Sequence, residues 1–140
     1  MKDINFNDVI FIDTSKSPLI IIKFKKKTIE LEDVKLVKQE ELNAINNIKT
    51  ASVIIYEASE VEWVTADARL EYIKLIKEQE SIYDLNVRAH YFVLPSKFLK
   101  IVLNTINRVF KPKIRQMVCN DLTTALEYAE LDKEVIESIV

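Results

Sequence analysis

Apolar positions along this chain keep two alternating rhythms, one suited to strands and one to helices. The runs Val9-Ile10-Phe11-Ile12 and Leu19-Ile20-Ile21-Ile22-Lys23-Phe24 are short, β-branched and separated by a Ser/Pro turn, which predicts a hairpin. From Leu31 to Ile48, Val34, Val37, Leu42, Ile45 and Ile48 recur near helical spacing, with Glu30, Glu32 and Asp33 at the positive dipole end. Ala51-Ser52-Val53-Ile54-Ile55-Tyr56 reads as a buried strand. Thr65 is then the expected N-cap of a second helix, whose Leu70, Ile73 and Ile76 share one face while Lys74, Lys77 and Glu78 take the other. Val87 to Leu94 forms the next strand, stopped by Pro95, and Ser96 caps a third helix running to about Phe110. Ile114 to Cys119 returns as a strand. Asn120 or Asp121 caps a fourth helix carrying Leu122, Ala125, Leu126, Tyr128 and Ala129, which residues 131–140 either extend or leave as a frayed tail.

This order predicts an α/β fold: an N-terminal hairpin, then alternating helices and strands, giving a mostly parallel sheet of about five strands with four helices. No linker or repeat divides the sequence, so residues 1–140 are expected to form a single domain. The pattern leaves open whether the helices cover both faces of the sheet.

Composition chiefly excludes. The chain has no glycine, and phosphate-cradling loops, dinucleotide fingerprints and nucleophile elbows all depend on that residue. Turns are therefore expected from Asn, Asp, Ser and Pro, as in Asp13-Thr14-Ser15-Lys16-Ser17-Pro18 and Asn46-Asn47. No apolar run approaches the roughly 20 residues of a membrane span, and no leader-like start is seen, so a cytoplasmic protein without a transmembrane segment is expected. The lone Cys119 lies in an apolar run and reads as a buried thiol.

Net charge is only -2, yet it is unevenly spread. Val87 to Asn120 holds no acid and seven bases, whereas Asp121 to Val140 holds six acids against Lys133 alone. Such segregation binds an anionic partner or is neutralised when the segments pack together. Lys23, Lys25, Lys26 and Lys27 form a second cluster, read here as the blunting of an exposed sheet edge. Without a recognition helix or surface aromatic pattern, and at a pI of about 5.5, nucleic-acid binding is not expected.

Catalytic chemistry finds little to work with. His90 is the only histidine, which argues against a metal site or a Ser/His relay, and a Cys119–His90 pair would need adjacent strands and a shared cleft. No catalytic residue, metal ligand or cofactor is therefore assigned. The third helix is more suggestive. Lys100, Asn104, Asn107, Arg108 and Lys111 form a basic polar stripe, while Phe98, Leu99, Ile101, Val102, Leu103, Ile106, Val109 and Phe110 fill an unusually wide apolar arc. Either the fourth helix buries the excess, or Phe98, Lys100, Ile101, Arg108 and Lys111 meet a second subunit or a membrane.

The helix starts Thr28-Ile29-Glu30-Leu31-Glu32-Asp33-Val34-Lys35 and Glu60-Val61-Glu62-Trp63-Val64-Thr65-Ala66-Asp67-Ala68-Arg69, together with Phe110-Lys111-Pro112-Lys113 and Asn120 to Tyr128, resemble the STAS or SpoIIAA-like domain family over roughly residues 5 to 130. The resemblance is to its small stand-alone bacterial members, which usually carry no assigned function. In the family's anti-sigma-factor antagonists a serine at a helix start is phosphorylated to switch partner binding. Here Ala66 stands at that position and Ala68 at the following glycine, so the resemblance does not carry the phospho-switch with it. What it implies is a non-enzymatic binding or regulatory module, self-associating as a homodimer, meeting another protein, or holding a small apolar or anionic ligand. The alternative is a peripheral membrane protein. The candidate contact surface is the convergence of two helix starts, Thr65, Ala66 and Asp67 with Pro95, Ser96 and Lys97.

Overall fold

The computed structural model describes residues 4–6, 8–48, 50–83, 87–94 and 96–139. Two antiparallel steps open the main sheet: β1 (Ile4–Phe6) pairs with β2 (Ile10–Asp13), and β2 pairs with β3 (Leu19–Phe24). The predicted hairpin is β2–β3, and β1 is a short edge strand beyond it. Three parallel steps follow, to β5 (Ser52–Glu57), β7 (Val87–Val93) and β8 (Arg115–Cys119). The spatial order is β1-β2-β3-β5-β7-β8. A separate two-stranded ribbon pairs β4 (Thr28–Ile29) with β6 (Trp63–Val64); neither two-residue strand has enough length to show a period in sequence.

The parallel steps all advance in one direction across the sheet, which decides where the helices go. A right-handed crossover places its helix on a fixed side, so successive crossovers in one direction stack their helices on the same face. Accordingly α1 (Leu31–Asn46), α2 (Ala66–Tyr83) and α3 (Lys97–Phe110) cover one face, where Val34, Val37, Ala44, Ala68, Leu99 and Leu103 pack on Ile20, Ile22, Ile54, Phe92 and Leu94. Only α4 (Leu122–Ile139) covers the other, with Ala125, Ala129 and Ile136 on Val53, Ile55, Ala89, Tyr91 and Val93. Residues 131–139 extend the helix. Strand β5 is buried at every position because both of its faces are covered, which explains its unbroken apolar run.

Asp132 anchors α4. Its buried carboxylate accepts from Arg88 Nε at 3.1 Å and from Arg115 Nη2 at 2.9 Å, and the hydroxyl of fully buried Tyr91 donates to it. Arg115 also lies over the Tyr91 ring, and Tyr128 stacks on that ring. Two cations of the acid-free segment are thus compensated by the acidic C-terminal segment, which is the internal neutralisation left open by the sequence.

Helix ends show what a glycine-free chain does. Asp121 receives the Thr124 N–H at 2.8 Å and caps α4, which holds its carboxyl below the usual range. The C-cap of α3 needs a left-handed residue, and Lys111 takes it at φ 45°. The expectation that Asn, Asp, Ser and Pro would make every turn is corrected there: a lysine pays the Cβ clash. A second correction concerns the lysine cluster. Strand β3 lies between β2 and β5, so it is not a sheet edge; Lys26 instead donates to Asp33 at 2.7 Å, tying the strand exit to the first turn of α1.

Candidate functional site

Between the sheet and its three-helix face lies a cavity of about 120 Å³. The sheet contributes Phe24, Tyr56, Phe92 and Leu94 to its wall, and α1 contributes Val34 and Val37. The ribbon and the segment leading into it supply Ile29, Ala58, Val61 and Val64. Helix α2 adds Arg69, Tyr72 and Leu75, while Leu99, Val102, Leu103 and Ile106 come from the inner side of α3. Among the described residues, the ionisable side chains in this wall are Arg69 and the two tyrosines. A void of this kind forfeits packing of order 3 kcal/mol relative to a filled core, at about 24 cal/mol per Å³.

The tyrosines belong to a buried polar chain behind the wall. Tyr56 donates to Glu41 of α1, itself buried. Tyr72 donates to Gln116 Oε1 at 2.8 Å, and its oxygen lies 3.3 Å from His90 Nδ1. Desolvation pushes both phenols well above the ordinary tyrosine range, with the Glu41 charge adding to it, and lowers the His90 imidazole to about 3. His90 Nε2 and Gln116 Nε2 are buried without a hydrogen-bond partner among the described residues. His90 pairs with Gln116 across β7–β8 and faces α1–α3, whereas Cys119 faces α4. The strands are neighbours, but imidazole and thiol lie on opposite sides of the sheet. Burial also raises the Cys119 thiol, the direction that makes it less reactive.

Next in sequence to the wall residues Val64 and Leu99 stands an aromatic pair. Trp63 of β6 and Phe98 of α3 stack with centroids 5.0 Å apart, both partly exposed, and the Arg69 guanidinium lies over the indole at 5.4 Å. Because β5 and β7 are parallel, the starts of α2 and α3 lie at the same end of the sheet, and the Trp63–Phe98 contact joins them. Thr65 Oγ1 donates to Asp67 Oδ1 at 2.6 Å, and Asp67 also receives the Ala68 N–H at 2.8 Å. These bonds hold the Asp67 carboxyl below its ordinary range, the Thr65 hydroxyl chiefly. Ala66 and Lys97 are exposed, Ser96 accepts from the Leu99 N–H at 3.2 Å, and Pro95 lies outside the described residues.

The outer side of α3 is uncovered. Its excess apolar residues are not buried by α4, because α4 lies across the sheet; Phe98, Ile101, Val109 and Phe110 are 44% to 62% exposed. Lys97, Arg108 and Lys111 are exposed beside them, and Lys100 reaches Asn120 Oδ1 at 3.1 Å. The sequence pattern singled out this face but not the cavity behind it, nor Trp63 and Arg69, which are far from α3 along the chain. Among the described residues no group of three or more His, Cys, Asp or Glu is placed to hold a metal, and no helix is long and apolar enough to cross a membrane.

The chain has a SpoIIAA-like fold. It is similar to the crystal structure of an uncharacterised DUF3478-family protein with a SpoIIAA-like fold from Shewanella loihica PV-4, with a TM-score of 0.61 at 14% identity over 92% of each chain. It is also similar to part of the murine Solute Carrier 26 member A9 anion transporter, with a TM-score of 0.57 at 11% identity, over 93% of this chain and 21% of that one. No family model matches the sequence, and no curated protein does.

Proposed function

We propose that this SpoIIAA-like domain is a non-enzymatic binding module that holds a small apolar ligand between α1, α2, α3 and the sheet. The observation that supports it is the apolar cavity of about 120 Å³ at a place where protein interiors are ordinarily close-packed. Its contact surface is the end where Thr65, Ala66 and Asp67 approach Ser96 and Lys97, beside the stacked Trp63 and Phe98. Occupancy, not bond making, is the mechanism: a ligand restores contacts that the empty cavity forfeits, and the filled state presents that end to a partner. Native mass spectrometry of freshly purified protein, repeated with Leu103→Phe, tests it. A bound mass lost in the folded variant is expected; equal uptake of benzene or 1-hexanol by both proteins, read by calorimetry, would place the ligand elsewhere.

A second reading follows from the interleaving of Phe98, Ile101, Val109 and Phe110 with Lys97, Arg108 and Lys111 on the uncovered side of α3. It is peripheral association with an anionic membrane. Vesicles containing phosphatidylserine should retain the protein at low salt, and Lys100→Glu with Arg108→Glu should release it. Retention unaffected by salt and by both substitutions removes this reading and leaves the face to self-association, visible as a dimer in the same mass spectra.

A further inference from the structure

Arg69 is an unusual member of an apolar wall. It stands one turn into α2, half-buried, with its guanidinium 5.4 Å from the Trp63 ring centre. Its Nε is buried and has no hydrogen-bond partner among the described residues. No carboxylate forms an ion pair with it among the described residues; Asp67, two positions before it, is engaged by Thr65 and Ala68. Arg69 as a whole is only part-buried, so it is the shielded Nε that lacks a partner, and an acceptor brought to the guanidinium supplies both a hydrogen bond and an opposite charge. The neighbouring α2 start does not offer a rival anion site, since Asp67 already occupies the Ala68 N–H with a negative charge of its own.

Resting on the cavity reading above, we propose that the ligand is an amphiphilic monocarboxylate. Its aliphatic tail fills the apolar cavity, and its carboxylate pairs with Arg69 where the wall meets the Trp63–Phe98 stack. The size of the tail follows from the volume. A cavity of 150 Å³ accepts benzene, so about 120 Å³ accommodates roughly five or six carbons, which selects short- to medium-chain acids over long ones. The head is charged because Arg69, with its stem in the apolar wall and no ion pair among the described residues, carries a guanidinium that binds a carboxylate through parallel N–H donors. Trp63, the only tryptophan of the chain, lies against Arg69 and reports the event.

The test titrates the intact protein with butyrate, hexanoate, octanoate and decanoate and with the 1-alkanols of matching length, following Trp63 fluorescence and calorimetry. Hexanoate, whose tail has about five carbons, should bind best, with the matched alkanol about tenfold weaker or more, the factor expected of one charge-assisted pair. Arg69→Gln should erase the preference for carboxylate, bringing acid and alkanol affinities to within about twofold of each other, and Arg69→Lys should keep part of it. Circular dichroism of each variant shows whether it is folded. Equal affinity for acid and alcohol, unmoved by Arg69→Gln, overturns the carboxylate assignment but leaves an apolar ligand in place. Failure of both series to bind the folded native protein overturns the cavity reading and this inference together.

Discussion

Replacing Asp132 with alanine should loosen α4 more than any other single polar change on its side of the sheet. The carboxylate is 7% exposed, but its partners differ: Arg88 and Arg115 keep 40% and 51% of their side chains in solvent, while Tyr91 is fully buried. Removing the acid therefore leaves two cations that water still serves, each pair being worth about 0.2–1 kcal/mol at such exposure. It also leaves the buried Tyr91 hydroxyl without its acceptor, at about 1–3 kcal/mol. The sum is roughly 1.4–5 kcal/mol, which for a chain of 140 residues lowers Tm by about 4–15 °C at about 3 °C per kcal/mol. Urea denaturation followed by far-UV circular dichroism measures it, with Asp132→Asn and Tyr91→Phe as companions. The amide retains an acceptor and should lose about half as much. The Asp132→Ala and Tyr91→Phe effects should fall short of additivity by about 1 kcal/mol in the double variant. A loss below about 0.5 kcal/mol for Asp132→Ala, or strict additivity, would refute the latch.

Two further predictions concern the backbone and the buried imidazole. Lys111→Gly should raise the unfolding free energy by about 0.5–1 kcal/mol, seen as a higher urea midpoint at unchanged m-value, because relief of the left-handed Cβ clash exceeds the added unfolded-state entropy; a loss of stability would mean that Lys111 makes a stabilising contact. For His90 the unfolded chain takes up a proton near pH 6.5, whereas the folded imidazole does so only near 3. The group therefore costs stability as pH falls below 6.5, by up to about 1.4 kcal/mol per unit, until the folded form also protonates. Denaturation at pH 7.5 and 5 should show this slope in the native protein and not in His90→Gln; equal slopes would place the proton-linked group elsewhere.

Local chemistry made most elements legible. The strand Leu19–Phe24, the α3 start with its Ser96 cap and the Asp121 cap of α4 coincide with their sequence signals, because runs, periods and caps act within a few residues. The two-residue strands β4 and β6 carry no period, and their pairing joins segments about 35 residues apart, so no window along the chain contains the signal. Lys111 was equally hidden: without glycine, the chain's left-handed residue is whichever one falls at the helix end.

The alternation of strand and helix, the wide apolar arc of α3 and the poverty of catalytic groups are properties of the sequence itself, since composition and periodicity survive any arrangement of the elements in space. Strand order is different, because it is the outcome of long-range pairing. Only when β3, β5, β7 and β8 lie in one unidirectional series do right-handed crossovers force α1, α2 and α3 onto one face, leaving α4 alone on the other. That placement exposes the outer side of α3, puts Asp132 beneath Arg88 and Arg115, and sets His90 and Cys119 back to back. It also creates the cavity and brings Arg69 of its wall together with Trp63 and Phe98, because a void belongs to no residue and exists only in the imperfect fit of three helices on a twisted sheet.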